Sequence, residues 1–268
     1  MRNLKRTLSL ALASVMLVGM MSVGASAVNA SDFTDADEIV NKDAVSTMTA
    51  LGIINGKEDG SYFDPTGTVT RAEMAKMLCV AINGGVDPVL GVKDTPTFTD
   101  IKGTWAESYI EYCAANGIIA GRGNNKFDPT GTVSATEAAK MLLGVLGYNA
   151  EKSGLVGNDW AINTNVLANQ NGLYKNLSNL NANTLLTRDN AAQMIYNALD
   201  ANMVELNAAG NYTTSQYSYT GTESVVTGTE RVWVLTIKEN NCTDSGIKAA
   251  VDALSGSVYN SRSDADET

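Results

Sequence analysis

The most constraining feature of this chain is that it repeats. Phe33-Thr34-Asp35 returns as Phe98-Thr99-Asp100, and at the same spacing Gly52-Ile53-Ile54-Asn55-Gly56 returns as Gly117-Ile118-Ile119-Ala120-Gly121. At almost the same spacing, Phe63-Asp64-Pro65-Thr66-Gly67-Thr68-Val69 returns as Phe127-Asp128-Pro129-Thr130-Gly131-Thr132-Val133. Three blocks in the same order define a unit of supersecondary size. A fainter third copy follows. Trp105-Ala106 and Asn116-Gly117 match Trp160-Ala161 and Asn171-Gly172 at one common offset, and Thr70-Arg71 matches Thr187-Arg188. That copy lacks the Phe-Thr-Asp opening and the Phe-Asp-Pro turn.

Each unit reads as helix, loop, helix. Ala44, Val45, Met48 and Leu51 share one face of a first helix expected from about Ile39 to Leu51. Gly52 ends it at the C′ position. Asp59-Gly60 and Asp64-Pro65 then punctuate a loop. The second helix begins after Thr70, with Met74, Met77, Leu78, Ala81 and Ile82 as its buried stripe. Two short helices cannot bury their apolar faces alone, so the three units are expected to pack around a shared centre. The fold class expected is mainly α, with a short β-containing C-terminal region.

The start of the second helix separates two roles. Thr70 and Glu73 form a capping box, as do Ser134 and Glu137 in the second unit. The third unit keeps the Thr187 cap but has Asn190 in place of the glutamate. The arginine of unit one, Arg71, becomes Ala135 in unit two and returns as Arg188 in unit three. Capping therefore does not need it, and an arginine in a first turn opposes the helix dipole. Either it is a solvated or acid-paired side chain, or it belongs to a receptor for a carboxylate or phosphate.

Composition removes several function classes. The chain has 268 residues, 19 basic and 29 acidic, and no histidine. Without histidine there is no Ser-His-Asp or Cys-His catalysis and no HExxH zinc site. The net charge of −10 argues against nucleic acid as a partner. No metal cluster, phosphate loop or cofactor motif is visible. Lys57-Glu58-Asp59-Gly60 lacks the alternating oxygens of an EF-hand and reads as a turn.

Residues 1–30 read as a secretory signal. Arg2, Lys5 and Arg6 precede the apolar run Leu8 to Val23, with cleavage expected after Ala27 or Ala30. The run is shorter than the roughly 20 residues a membrane span needs. Cleavage would leave 16 basic and 29 acidic residues, a net charge of −13. No membrane association is expected afterwards. Cys79 and Cys113 fall inside expected helices, and with Cys242 the count is odd, so buried thiols are preferred to a bridge.

These residues resemble the S-layer homology repeat: Phe-x-Asp, a helix, Gly-Ile-Ile-x-Gly, Phe-x-Pro, then Thr-Arg-Ala-Glu and a second helix. The resemblance implies three repeats in a pseudo-threefold, three-pronged bundle, at 31–90, 91–150 and a divergent 151–202. It implies binding of a secondary cell-wall polymer, often pyruvylated and anionic, or of a peptidoglycan-linked glycan, in grooves between prongs. It also implies a secreted protein of the cell wall or S-layer of a Gram-positive-type envelope. Carried over position by position, Arg71 and Arg188 are the polymer-binding candidates. Trp105 and Trp160 either stack on a sugar face or pack in the core. Asp35 and Asp100 either accept sugar hydroxyls or cap the first helix. Gly52, Gly56, Gly117, Gly121 and Gly172 shape turns rather than bind.

After Asp200 the composition shifts. Residues 203–228, rich in Ser, Thr and Tyr, are expected to be linker or edge strands, and 229–260 a small strand and helix. The strand is placed at Arg231–Ile237, the helix at Gly246–Leu254, and 261–268 are an acidic disordered tail. With no nucleophile–base pair, the chain is expected to be an anchoring protein and no enzyme. The alternatives are a small structural S-layer subunit that self-associates, or the anchoring part of a surface enzyme.

Overall fold

Six α-helices form among the described residues. They are α1 (Lys42–Ala50), α2 (Arg71–Ile82), α3 (Glu107–Ala115), α4 (Ala135–Val145), α5 (Trp160–Gln170) and α6 (Arg188–Leu199). The computed structural model describes residues 28–177, 180–181, 183–207, 209–214, 217–226 and 230–239. Residues 1–27 of the expected secretory signal, the helix expected at Gly246–Leu254, the acidic tail and Cys242 lie outside the described residues, whereas Ala30 is described and buried. No helix among the described residues is long and apolar enough to cross a membrane.

The fold is mainly α, in three helix–loop–helix units closed into a ring. The second helix of each unit packs against the first helix of the next: α2 on α3, α4 on α5, and α6 back on α1. Backbone hydrogen bonds trace the same cycle. Val133 N–H donates to the Val69 carbonyl at 2.9 Å, Leu186 N–H to Val133 at 2.8 Å, and Val69 N–H to Leu186 at 2.9 Å. One turn outward, Arg71 N–H donates to Gly131, Ala135 N–H to Thr184, and Arg188 N–H to Gly67. The first free amides of each second helix are thus partly satisfied by the next unit's loop. Each unit depends on a neighbour for polar pairing as well as for burial, which is why the ring closes.

The core lies along this axis. Met74, Leu78, Leu142, Met194 and Ile195 from α2, α4 and α6 are buried, as are Val69, Val133 and Leu186 just before those helices. Helical spacing placed the methionines in this stripe, and they serve there as adaptable filling.

Gly52, Gly117 and Gly172 follow the first helices with φ of 69°, 70° and 70°. This left-handed C′ conformation favours glycine. In unit one the α-helix itself begins later than Ile39, at Lys42, because Ala36–Glu38 forms a separate 3-10 turn.

Among the described residues two antiparallel strand pairs follow α6: β1 (Val204–Leu206) with β2 (Tyr212–Thr214), and β3 (Tyr217–Val226) with β4 (Glu230–Glu239). β4 contains the expected Arg231–Ile237 strand. The first pair docks on the junction after α4. Val204 N–H donates to the Leu146 carbonyl at 2.8 Å, and Asn149 N–H to the Tyr212 hydroxyl at 2.8 Å. The Tyr148 and Tyr212 rings meet at 5.1 Å.

Candidate functional site: the three seams

Each junction between units is a seam with a donor side and a receiving loop. At the first seam Arg71, in the opening turn of α2, reaches into the loop of unit two. Its Nε donates to the Phe127 carbonyl at 2.8 Å and its Nη2 to Ala120 at 2.7 Å. Its guanidinium carbon lies 4.3 Å from the centre of the Phe127 ring. At the third seam Arg188 repeats this on unit one, donating Nε to Phe63 and Nη2 to Asn55, both at 2.8 Å, 5.1 Å from the Phe63 ring. The two residues are 3% and 5% exposed. Their unfavourable first-turn position has a structural reason: they pair carbonyls of the neighbouring loop that would otherwise be buried without donors.

The receiving loop is built by the Phe-x-Asp block. Phe33 packs on Phe63 with ring centres 5.3 Å apart, and Phe98 on Phe127 at 5.5 Å. Asp35 accepts from the amides of Phe63 and Asp64 at 2.9 and 2.7 Å. Asp100 accepts from Phe127 and Asp128, both at 2.8 Å. Neither carboxylate caps the first helix. Asn41 precedes α1 and Ala106 precedes α3, while each aspartate is turned back onto its own loop. The pairing holds Asp64 and Asp128 at φ of 60° and 62°, a conformation aspartate tolerates better than most residues. Burial works against ionisation of Asp100, but the two amides outweigh it and hold its pKa below the ordinary value. Gly56 and Gly121 sit in the same loops, where a Cβ would fall 2.2 Å from the Gly60 oxygen and 2.7 Å from the Lys126 oxygen.

The capping groups sit at the seam mouths. Thr70, Ser134 and Thr187 accept from the amides of Glu73, Glu137 and Asn190. Glu73 and Glu137 return the contact to the amides of Thr70 and Ser134 at 2.8 and 2.9 Å. Glu137 also receives Arg122, whose Nη2 lies 2.7 Å from Oε1, and faces Arg71 Nη1 at 3.4 Å. Burial raises the pKa of Glu137, but the Ser134 amide and Arg122 outweigh it and bring it below the ordinary value. Arg122 also bonds Asp128 at 2.7 Å. Lys57 holds the same place in unit one and pairs with Asp64. Sequence reasoning passed over Arg122 and read Lys57 only as part of a turn, although each directly follows the glycine that closes its Gly-Ile-Ile block, Gly121 in one unit and Gly56 in the other.

The tryptophans differ. Trp105 is 60% exposed beside Tyr109, whose ring carries Lys76 of α2 at 5.5 Å. Trp160 is half-buried, with Lys140 of α4 at 5.2 Å from its ring. Val40, the matching position in unit one, is 82% exposed.

The second seam lacks the arginine and also its socket. All four phenylalanines of the chain belong to units one and two, so unit three has none to offer where Ala135 stands. The carbonyl of Lys175, equivalent to those of Asn55 and Ala120, is paired differently. Asn197 Nδ2 of α6 donates to it at 2.7 Å and to Leu173 at 3.0 Å, while Gln193 Nε2 donates to Asn197 Oδ1 at 2.8 Å. Thr164 Oγ1 on α5 is the one buried side-chain polar atom without a partner among the described residues. No group of three His, Cys, Asp or Glu suited to a metal occurs among them.

Comparison with known proteins fits this geometry. The family model described as "S-layer homology domain" matches residues 32–75 and 97–139. An S-layer protein of Bacillus licheniformis is 32% identical over 111 residues, covering 41% of this chain and 12% of that protein. A cell surface protein of Thermoanaerobacter kivui is 28% identical over 207 residues, 76% of this chain and 26% of its own length. The exoglucanase XynX of Acetivibrio thermocellus is 28% identical over 156 residues, 54% and 14% respectively. The chain thus spans at most about a quarter of these three relatives. Two segments of this chain, residues 32–75 and 97–139, therefore match the S-layer homology domain, and they hold Asp35, Asp100, the Gly-Ile-Ile loops and the openings of α2 and α4.

Proposed function

We propose that this is an exported cell-surface protein that attaches non-covalently to the wall by gripping an anionic secondary wall polysaccharide at its seams. In this reading residues 151–202 are a third, divergent S-layer homology repeat, and the protein is an anchor with no catalytic role. The observation that carries the proposal is the composition of the first seam. It has both a buried arginine, Arg71, and an exposed tryptophan, Trp105, with Lys76 over the Tyr109 ring beside that tryptophan and Arg122 sharing Glu137 with that arginine. An aromatic face and nearby cations suit an acidic sugar. The third seam has Arg188 but Val40, and the second has Trp160 but Ala135.

With two donors spent on carbonyls, each arginine works as the positively charged floor of its seam. Arg188 keeps Nη1 without a hydrogen-bond partner among the described residues. At the first seam a ligand carboxylate would displace the long Arg71–Glu137 contact of 3.4 Å. The net charge of −10, or −13 after signal cleavage, opposes bulk attraction of an anionic polymer. Binding therefore rests on local contacts and is expected to persist in moderate salt, which screens the long-range repulsion.

The test is co-sedimentation of the mature protein with purified wall sacculi, before and after acid extraction of the secondary polymer. Binding should disappear on extraction. Undiminished binding would assign the ligand to peptidoglycan and overturn the proposal. The variant pair Arg71→Ala and Arg188→Ala, checked for folding by circular dichroism, should lose binding. Retention at the level of the unsubstituted chain would remove the arginines from the site.

A further inference from the structure

We propose that Cys79 and Cys113 are a disulfide-forming pair that closes a covalent clasp across the first seam. Cys79 lies on α2 of unit one and Cys113 on α3 of unit two, the two helices packed at that seam. Both thiols are free and buried, with their sulfur atoms 3.4 Å apart. Each sulfur also approaches a backbone carbonyl of the opposite helix, Cys79 that of Tyr109 at 3.6 Å and Cys113 that of Ala75 at 3.7 Å. These crossed contacts aim both side chains into the interface. A disulfide needs the sulfurs at about 2.05 Å, an approach of about 1.4 Å that rotation of two side chains can share. Position along the sequence placed both residues in helices and gave no sign that they face each other.

The surroundings say when the bond forms. Both cysteines are buried, and Lys76, Asp87 and Tyr109 tie the same two units together. Lys76 pairs with Asp87 at 2.9 Å, and the Tyr109 hydroxyl donates to Asp87 at 2.6 Å. The hydrogen bond to Cys79 and then burial push the Cys113 thiol well above its ordinary pKa, so the folded pair holds little thiolate. Oxidation therefore belongs to folding, before the seam closes. A small-molecule or protein disulfide is the oxidant. One cysteine thiolate attacks it and forms a mixed disulfide, and the second cysteine displaces the carrier. Two S–H bonds break and one S–S bond forms. The two electrons reduce the carrier disulfide to two thiols, and the two protons go to the carrier thiolates or to solvent. Once made, the bond ties the first two units together before unit three closes the ring.

The full chain, reduced and denatured, is refolded in a mixture of reduced and oxidised glutathione, alkylated under denaturing conditions and digested. The expected product is a cross-linked peptide joining Cys79 to Cys113, two hydrogens lighter than its reduced parts, with Cys242 alkylated. The oxidised protein should melt roughly 5–10 °C above the reduced one. The Cys79→Ala variant should show no redox-dependent shift. Alkylation of both Cys79 and Cys113 after refolding, or a cross-link made through Cys242, would overturn the proposal. No wall material enters the assay, so its outcome is independent of the anchoring function.

Discussion

The first and second seams share a backbone plan and differ in how they pair one carbonyl. At the first, Arg71 crosses from unit one to donate to Ala120. At the second, Asn197 donates to the equivalent carbonyl, Lys175, from within unit three. The same orphan acceptor is thus satisfied from the neighbouring unit in one case and locally in the other. The arginine couples two units and its loss is felt across the seam, whereas the asparagine stabilises its own unit. Losing the arginine, its phenylalanine socket and the Phe-x-Asp clamp together is coherent, because each part serves the other two. The third unit keeps the helices because helix starts and apolar stripes do not depend on that apparatus.

The largest expected effect is Arg71→Ala. It removes the donors to Phe127 and Ala120 and opens space beside the Phe127 ring. The expected loss is about 3 kcal/mol, read by urea denaturation with an unchanged m-value. Arg71→Lys should recover only part of it, since an ammonium cannot reach both carbonyls in the guanidinium's geometry. A loss below about 0.5 kcal/mol for Arg71→Ala, the size expected of an ordinary surface substitution, would show the seam to be held by backbone pairing alone.

Asn197→Ala probes the other solution. It leaves the Leu173 and Lys175 carbonyls and Gln193 Nε2 without this partner. A loss of about 2 kcal/mol is expected. Amide exchange should separate the variants: Asn197→Ala should loosen unit three foremost, and Arg71→Ala units one and two together.

This contrast marks what the sequence could show. Local signals were legible: the caps at Thr70, Ser134 and Thr187, the C′ glycines and the apolar stripes all follow from short-range spacing. The ring closure was legible as a need for shared burial and as the threefold bundle that the family resemblance implies. What could not be read was the direction of side chains across units. Asp35 and Asp100 lie next to the start of the first helix in sequence, so a capping role was reasonable. Their partners are the amides of Phe63 and Phe127, far along the chain and brought close by the loop. Arg71 posed the right question, since its local position is unfavourable, but its partners, Ala120 and Phe127, belong to the next unit. Asn197 was hidden as a polar residue in a buried stripe, and Tyr212 within a stretch that read as linker.

Acid should separate the seams next. Glu137 has a folded pKa below its ordinary value, because the Ser134 amide and Arg122 outweigh burial. A depressed carboxylate contributes stability above its unfolded pKa and loses it as pH falls through the folded one. The protein should therefore weaken from about pH 5 to pH 3. Asp189 acts in the opposite sense. Burial raises its pKa despite the Asn41 donors, so its cost appears as pH rises. Glu137→Gln should flatten the acid slope and cost about 1 kcal/mol at neutral pH, partial exposure having been allowed for. An unchanged slope would place the acid sensitivity elsewhere.

The smallest effect on stability is expected at Trp105, and it bears most directly on function. Trp105 is 60% exposed and its ring is tilted against that of Tyr109 with centres 6.3 Å apart, so Trp105→Ala should change stability by less than about 0.5 kcal/mol. Trp160 is half-buried with Lys140 over its ring, and Trp160→Ala should cost about 1–2 kcal/mol. A tryptophan kept in water at no structural gain invites a ligand, while one covered by a lysine already has a packing role. If the first seam is the principal polymer site, Trp105→Ala should weaken sedimentation with sacculi about tenfold while melting with the unsubstituted chain, a stacked ring being worth about 1–1.5 kcal/mol. Trp160→Ala should do the reverse, lowering the melting temperature more than the binding. Equal loss of binding in both variants would make the second seam a site as well, and would show that an arginine is not what selects one.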